Sequence, residues 1–191
     1  VAAGQEYAYR LAATEKAVYW TRADGSLLRA YVGGAPEVIA NEQYAARDIA
    51  VNDTHVYWAN VGAGTLARAP LAGTGEEVVI SGLTQPWSSA ISSTTRGWTE
   101  SATGHVYVAS LDSGQAPTLL ATTPGAWDVV MDATNVYWTT VFGGSVYAAP
   151  LAGGAPAMLA GDLTPPQALT ISGDRLFFGT AADAGVFSVP T

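Results

Sequence analysis

The chain has no cysteine, a single lysine (Lys16), two histidines and two methionines, and only 13% of its residues are charged. Without cysteine there can be no disulfide, no thiolate nucleophile and no thiolate metal site. Eight basic residues stand against sixteen acidic ones, a net charge of −8, and no basic run interrupts that sign. A phosphate-backbone partner is therefore excluded, and nucleic acid with it. The apolar stretches are short and broken by Gly, Pro, Thr or Asp, far below the roughly 20 residues of a membrane-spanning helix, so no membrane insertion is expected. The Val1-Ala2-Ala3-Gly4 start has neither a basic n-region nor an apolar h-region, so a signal peptide is expected to be absent or already removed. What is present is a 191-residue chain with 49% hydrophobic residues, enough for one sizeable core and too apolar for disorder.

Self-similarity organises that chain. Tyr19-Trp20, Tyr57-Trp58, Gly97-Trp98, Tyr137-Trp138 and Phe177-Phe178 occupy one column, spaced by 38, 40, 40 and 40 residues. Around each anchor the same unit recurs. A short apolar strand (Ile49 to Val51, Val129 to Met131, Leu169 to Ile171) leads through a polar turn such as Asn52-Asp53-Thr54 into the aromatic strand. A Gly-bearing loop then opens a third strand ending near Pro70, Ser110, Pro150 and Pro190, and a fourth follows at Val38 to Ala40, Val78 to Ile80, Leu119 to Ala121 and Met158 to Ala160. No segment keeps a 3.6-residue period over three turns, so the chain reads as all-β. A forty-residue, four-stranded repeat is the pattern of a β-propeller blade. The repeats run over about 17–54, 55–94, 95–134, 135–174 and 175–191 plus 1–16, in a single domain spanning 1–191. Trp20, Trp58, Trp98, Trp138 and Phe178 are expected to pack between blades.

The runs Tyr19-Trp20-Thr21-Arg22, Tyr57-Trp58-Ala59-Asn60 and Tyr137-Trp138-Thr139-Thr140, the last preceded by the turn Asp132-Ala133-Thr134-Asn135, resemble the repeat of the YWTD- and NHL-like bacterial β-propellers. The resemblance runs over nearly the whole chain and implies a propeller fold; its motifs are packing motifs, which specify fold rather than activity. The fourth motif residue varies as Arg22, Asn60, Glu100, Thr140 and Thr180, so no recurring Asp network carries over.

Registering the N-terminus on the repeat sets Val1-Ala2-Ala3 opposite Ile39-Ala40-Asn41, the end of a fourth strand, whereas the chain ends on the third strand Val186 to Pro190. A five-bladed ring closed by the N-terminal strand is expected, with part of a six- or seven-bladed propeller as the alternative.

The repeat also locates a binding surface. Tyr9, Arg47, Trp87, Trp127 and Gln167 form one column at the expected channel mouth, and Arg10, Asp48, Ser88, Asp128 and Ala168 the next. Equivalent positions that diverge into aromatic and charged residues are what an asymmetric site requires, although drift on a solvent-facing loop would produce the same divergence. Tyr9, Arg10, Arg47, Asp48, Trp87, Trp127, Asp128 and Gln167 are thus the candidate ligand-binding residues.

No catalytic residue is assigned. His55 falls in the turn away from the mouth and His105 starts a third strand, so neither a His-rich metal site nor a Ser-His-Asp arrangement is expected. Asp48, Asp128 and Glu100 could act as a carboxylate pair or hold Ca²⁺, but Asp48 and Asp128 could equally be partners for Arg10 and Arg47, and no calcium loop is present. No cofactor and no metal are expected. The reading is a non-catalytic binding or scaffold propeller that holds a protein partner at the channel mouth or a face of the disc. The alternatives are a small carbohydrate-binding lectin and, further off, a propeller lyase or glycoside hydrolase. A low-charge, lysine-poor, cysteine-free acidic chain suits a secreted, periplasmic or cell-surface bacterial protein.

Overall fold

The polar turns recur because one side chain can replace a backbone acceptor. In the computed structural model, which describes residues 7–73, 75–111, 115–180, 182 and 185–191, the Asn52 carboxamide oxygen accepts the N–H groups of Thr54 and His55 at 3.0 and 2.9 Å. Asp132 does the same for Thr134 and Asn135, and the hydroxyls of Ser92 and Thr14 serve the equivalent turns. The fifth repeat solves the turn differently. There Gly173 adopts φ +60°, a left-handed conformation cheap only for glycine, and Arg175 pairs directly with Ser172.

These turns connect nineteen strands among the described residues, with no helix. The first sheet holds β1 (Ala8–Ala13), β2 (Ala17–Arg22), β3 (Leu27–Tyr31) and β4 (Glu37–Ala40). The second holds β5 (Ala46–Val51), β6 (His55–Asn60), β7 (Thr65–Pro70) and β8 (Glu77–Ile80). The third holds β9 (Pro86–Ile91), β10 (Thr95–Glu100), β11 (His105–Ser110) and β12 (Thr118–Thr122). The fourth holds β13 (Ala126–Met131), β14 (Asn135–Thr140), β15 (Ser145–Pro150) and β16 (Ala157–Ala160). The fifth holds β17 (Pro166–Ser172), β18 (Arg175–Thr180) and β19 (Val186–Pro190). Each sheet keeps its strands in chain order, as in antiparallel meanders, and the chain has the all-β, five-bladed β-propeller fold. The fifth blade differs from the expected four strands: three are described, and the Val1-Ala2-Ala3 segment expected to complete it lies outside the described residues.

The chain groups into two compact units, residues 1–87 and 88–191. In the first, the core lies between the two sheets, where Tyr19, Leu27 and Ile39 meet Ile49, Val56 and Trp58. In the second, Val106, Val108 and Ala121 pack on Val129, Val136 and Trp138, while Tyr137 and Val146 pack on Leu169, Leu176 and Phe178. Trp20, Trp58, Trp98, Trp138 and Phe178 are all buried. Three of these anchors stack on a cross-strand aromatic partner, Trp98 on Tyr107, Trp138 on Tyr147 and Phe178 on Phe187, with ring centroids 5.3, 5.7 and 5.8 Å apart.

A buried indole N–H must find an acceptor. Fifteen residues before two of the tryptophans the chain supplies one. Trp58 donates to the Gln43 side-chain oxygen and Trp138 to the Thr123 hydroxyl, each at 2.8 Å. Gln43 accepts from Asn60 as well and donates to Glu76. Trp98 Nε1 is buried without a partner, and the residue at the same spacing before it is Leu83, whose side chain has no acceptor.

Thr123→Val should therefore cost about 1–3 kcal/mol by orphaning one buried donor, and Gln43→Leu more, because two donors lose their acceptor; guanidinium unfolding of both variants measures the difference. A second expectation concerns acid. Burial opposes the charge of Asp132, but the N–H groups of Thr134 and Asn135 and the Tyr137 hydroxyl outweigh it and hold the carboxyl below its ordinary 3.8. Ionised Asp132 thus stabilises the fold at neutral pH, and the contribution disappears as pH falls through that depressed value. Asp132→Asn should be less stable than the parent at neutral pH and should lose less stability between about pH 4 and pH 2 in denaturation series.

Candidate functional site

The start of each first strand is irregular. Ala8 pairs with Arg22 and Leu11 with Trp20, so Tyr9 and Arg10 fall in a bulge; Arg47, Trp127 and Gln167 fall in the corresponding shifts of β5, β13 and β17. Two residues upstream, the backbone enters the left-handed region at Tyr7, Ala45, Gln85 and Gly125, with φ between 54° and 79°, before the strand begins. A bulge frees its extra residue from the ladder and re-aims the side chain. Four of the five residues of the divergent column are thus also released from regular pairing.

In the first unit the column becomes a cluster. The Arg47 guanidinium lies over the Tyr9 ring, 4.6 Å from its centroid, and over the Trp87 ring at 5.1 Å. Tyr9 is 47% exposed, and Arg47 and Trp87 are half-buried. Each cation–π contact contributes about 0.5–1 kcal/mol at such exposure, and two together hold a long, flexible side chain in one pose. Arg10 turns to Asp48 instead, Nε to Oδ1 at 3.9 Å, and Asp48 is buried. Of the two arginines, one is ion-paired and the other is presented between aromatic faces. Tyr7 and Tyr44, close in the chain to Tyr9 and Arg47, are strongly exposed, and the Tyr44 ring covers Gly62 so closely that a Cβ there would meet it at 2.0 Å.

In the second unit the same columns carry different work. Trp127 is half-buried and its carbonyl accepts the Thr99 hydroxyl at 2.6 Å; Gln167 is exposed. Asp128 is only 3% exposed and both carboxylate oxygens are taken. Oδ1 accepts the Ser88 hydroxyl at 2.8 Å and Oδ2 accepts the Leu169 N–H at 2.7 Å, while the Asp128 N–H donates to Thr139 Oγ1 at 3.1 Å. Ser88 Oγ accepts the Val129 N–H at 3.2 Å. One side chain therefore ties β9, β13 and β17 together, accepting from the strand one repeat before it and from the strand one repeat after it. Ser88 and Thr139, not singled out from sequence as site residues, complete this staple; the forty-residue period places Ser88 level with Asp128 and was the available signal.

Glu100 and His105 are cross-strand partners at the mouth of the β10–β11 turn. His105 Nδ1 stands 3.7 Å from Glu100 Oε2 and 3.1 Å from the Tyr107 hydroxyl, and Thr103 donates to the same Glu100 oxygen at 3.0 Å. Hairpin spacing alone, four residues between Glu100 and His105, could have paired them. Among the described residues no group of three His, Asp or Glu side chains is placed to share a metal ion, and Asp48, Asp128 and Glu100 form no such group. A cavity of about 740 Å³ opens in the first unit at the opposite end of β1 from Tyr9, lined by Glu15, Lys16, Tyr19, Tyr31 and Asp53 among others.

Asp128→Ala should remove the acceptor of a buried N–H and of a buried hydroxyl at once, costing about 2–4 kcal/mol in chemical denaturation; Asp128→Asn, which keeps one acceptor oxygen, should cost less.

No protein-family model matches the chain, and no curated protein matches it in sequence. The fold is nonetheless shared with solved structures. A chain of a nidogen/laminin complex superposes with a TM-score of 0.82 at 23% identity, over 95% of this chain and 74% of that one. A streptogramin B lyase gives 0.75 at 11% identity over 96% and 68%, and the virginiamycin B lyase of Staphylococcus aureus gives 0.77 at 14% over 96% and 70%. These likenesses show the β-propeller fold alone, and the neighbours that share it include both a protein of a binding complex and lyases.

Proposed function

We propose that the chain is a non-catalytic module that binds a protein partner, with the Tyr9–Arg47–Trp87 cluster as its contact surface. The observation that carries this reading is the guanidinium held between two partly exposed aromatic rings. Tyr, Trp and Arg are the residue types that dominate protein–protein hot spots, because they offer large contact area at low entropic cost and a planar donor fork for carboxylates and carbonyls. The partner surface that suits the cluster pairs acidic or carbonyl acceptors with an apolar rim. The nidogen/laminin likeness supports a propeller used for holding protein, and the acidic, lysine-poor composition supports a location outside the bacterial cytoplasm, secreted, periplasmic or on the cell surface. A saccharide is the competing ligand, since stacked rings and an arginine also suit sugar hydroxyls and faces.

Selection from a displayed peptide library followed by parallel interferometry and glycan-array binding tests the proposal. Selected peptides should bind the parent and lose about tenfold or more in affinity with Arg47→Ala or Trp87→Ala, both variants keeping the parent circular dichroism. Saturable glycan binding that the same substitutions abolish, with no peptide selected, would replace the protein reading by the lectin one; silence in both assays would sink the cluster as a site.

A further inference from the structure

The cavity of about 740 Å³ in the first unit is bounded by the first and second sheets, each of which has all four strands. Its size falls within the roughly 300–1,000 Å³ of small-molecule sites. Buried Tyr19 and half-buried Val51 and Leu71 form its floor, and exposed Glu15, Lys16 and Asp53 its rim. Arg29 braces the wall. Its guanidinium donates to the Leu71 carbonyl of the second sheet and to Glu37, and lies 4.9 Å from the centroid of the Tyr31 ring, which also lines the cavity. The two sheets are thus tied to each other at the cavity before any ligand enters, which lowers the ordering cost of binding.

The repeat shows what is particular to this junction. Between the third and fourth sheets the positions of Glu15, Lys16 and Asp53 carry Ser93, Thr94 and Ala133. The position of Tyr19 carries Gly97 there, and Met131 takes up the space: a Cβ on Gly97 would meet the Met131 methyl at 2.9 Å. In the first unit three charged side chains instead surround an open volume, and none of them forms an ion pair among the described residues. The Tyr19 hydroxyl is also unlike its siblings. Tyr137, its equivalent, donates to Asp132 in its own turn at 2.8 Å, but Thr14 stands at the position of Asp132 and spends its hydroxyl on the N–H groups of Lys16 and Ala17. The side chain beside the Tyr19 hydroxyl is Arg29, which carries donors only, so the phenolic proton has no acceptor among the described residues.

We propose that this cavity binds a small zwitterion, a free amino acid or a short peptide with an apolar side chain. Lys16 and the Tyr19 hydroxyl supply donors for a carboxylate, Glu15 and Asp53 supply acceptors for an ammonium group, and Val51 and Leu71 take the apolar side chain. Opposite charges on one rim select a ligand that carries both. A simple anion would meet two carboxylates, and a simple cation would leave Lys16 and the Tyr19 proton without an acceptor. The cavity lies at the other end of β1 from the Tyr9–Arg47–Trp87 cluster and does not depend on that cluster's role.

Leucine and the dipeptide alanyl-leucine, each beside its N-acetyl and C-terminal amide derivatives, are the probes, and NMR titration of the full chain's amide resonances is the readout. The free probes at millimolar concentration should shift the amides of Glu15, Lys16 and Asp53 saturably; tighter binding of leucine identifies an amino-acid site and tighter binding of the dipeptide a peptide site. N-acetylation of the probe and the paired substitution Glu15→Gln with Asp53→Asn should each weaken binding by about tenfold, and the two together by little more, because they remove the same contact. Amidation of the probe and Lys16→Gln should behave in the same way. All three side chains are exposed, so the variants should keep the parent circular dichroism. Blocked derivatives that bind as tightly as the free probes would overturn the zwitterion. Shifts confined to Tyr9, Arg47 and Trp87, or no saturable shift with either free probe, would overturn the site.

Discussion

The constraint on which the structure depends is a large aromatic side chain at the centre of a small sheet of three or four short strands that cannot be stable alone. A sheet of short strands has two faces to cover, and one blade cannot cover its own. Trp58 and Trp138 meet the requirement by filling the space between adjacent sheets within their units, on strands buried along most of their length, and Phe178 does so with a smaller ring on a strand buried at alternate residues. The burial imposes its own condition on the indole N–H, which Gln43 and Thr123 meet and which Trp98 leaves unmet. Burial of a large apolar ring outweighs one orphaned donor, so the repeat survives the loss of its acceptor there.

Because the packing positions must repeat, freedom to vary is confined to the strand ends. At the start of β1, β5, β13 and β17 the register shifts, and Tyr9, Arg47, Trp127 and Gln167, which differ from blade to blade, fall in those shifts. The next position is not free in the same way. Asp128 bonds backbone and hydroxyl donors from two neighbouring strands, so a carboxylate that looks chemical in sequence is spent on cohesion.

Among the described residues the fifth blade has three strands where its siblings have four. Its Phe178–Phe187 stack matches the aromatic pairs of the third and fourth blades, and Val186 and Phe187 are exposed. Saturating a sheet edge needs backbone partners as well as apolar surface, and only a strand supplies both.

Much of this was legible beforehand. Period, strand positions and turn chemistry follow from local rules: an Asn, Asp, Ser or Thr that bonds its own backbone two residues on, a glycine where φ must be positive, and an aromatic pair every forty residues. The divergent column could be found by aligning the repeat on itself. What could not be read were the choices among partners. Two arginines and two aspartates offered several pairings; the fold sent Arg10 to Asp48 and Arg47 to the rings of Tyr9 and Trp87, and committed Asp128 to Ser88 and Leu169. The sequence by itself determined the blade, because burial and turn formation act over a few residues. Tertiary structure decided which polar groups remain available, because that depends on neighbours a whole repeat away.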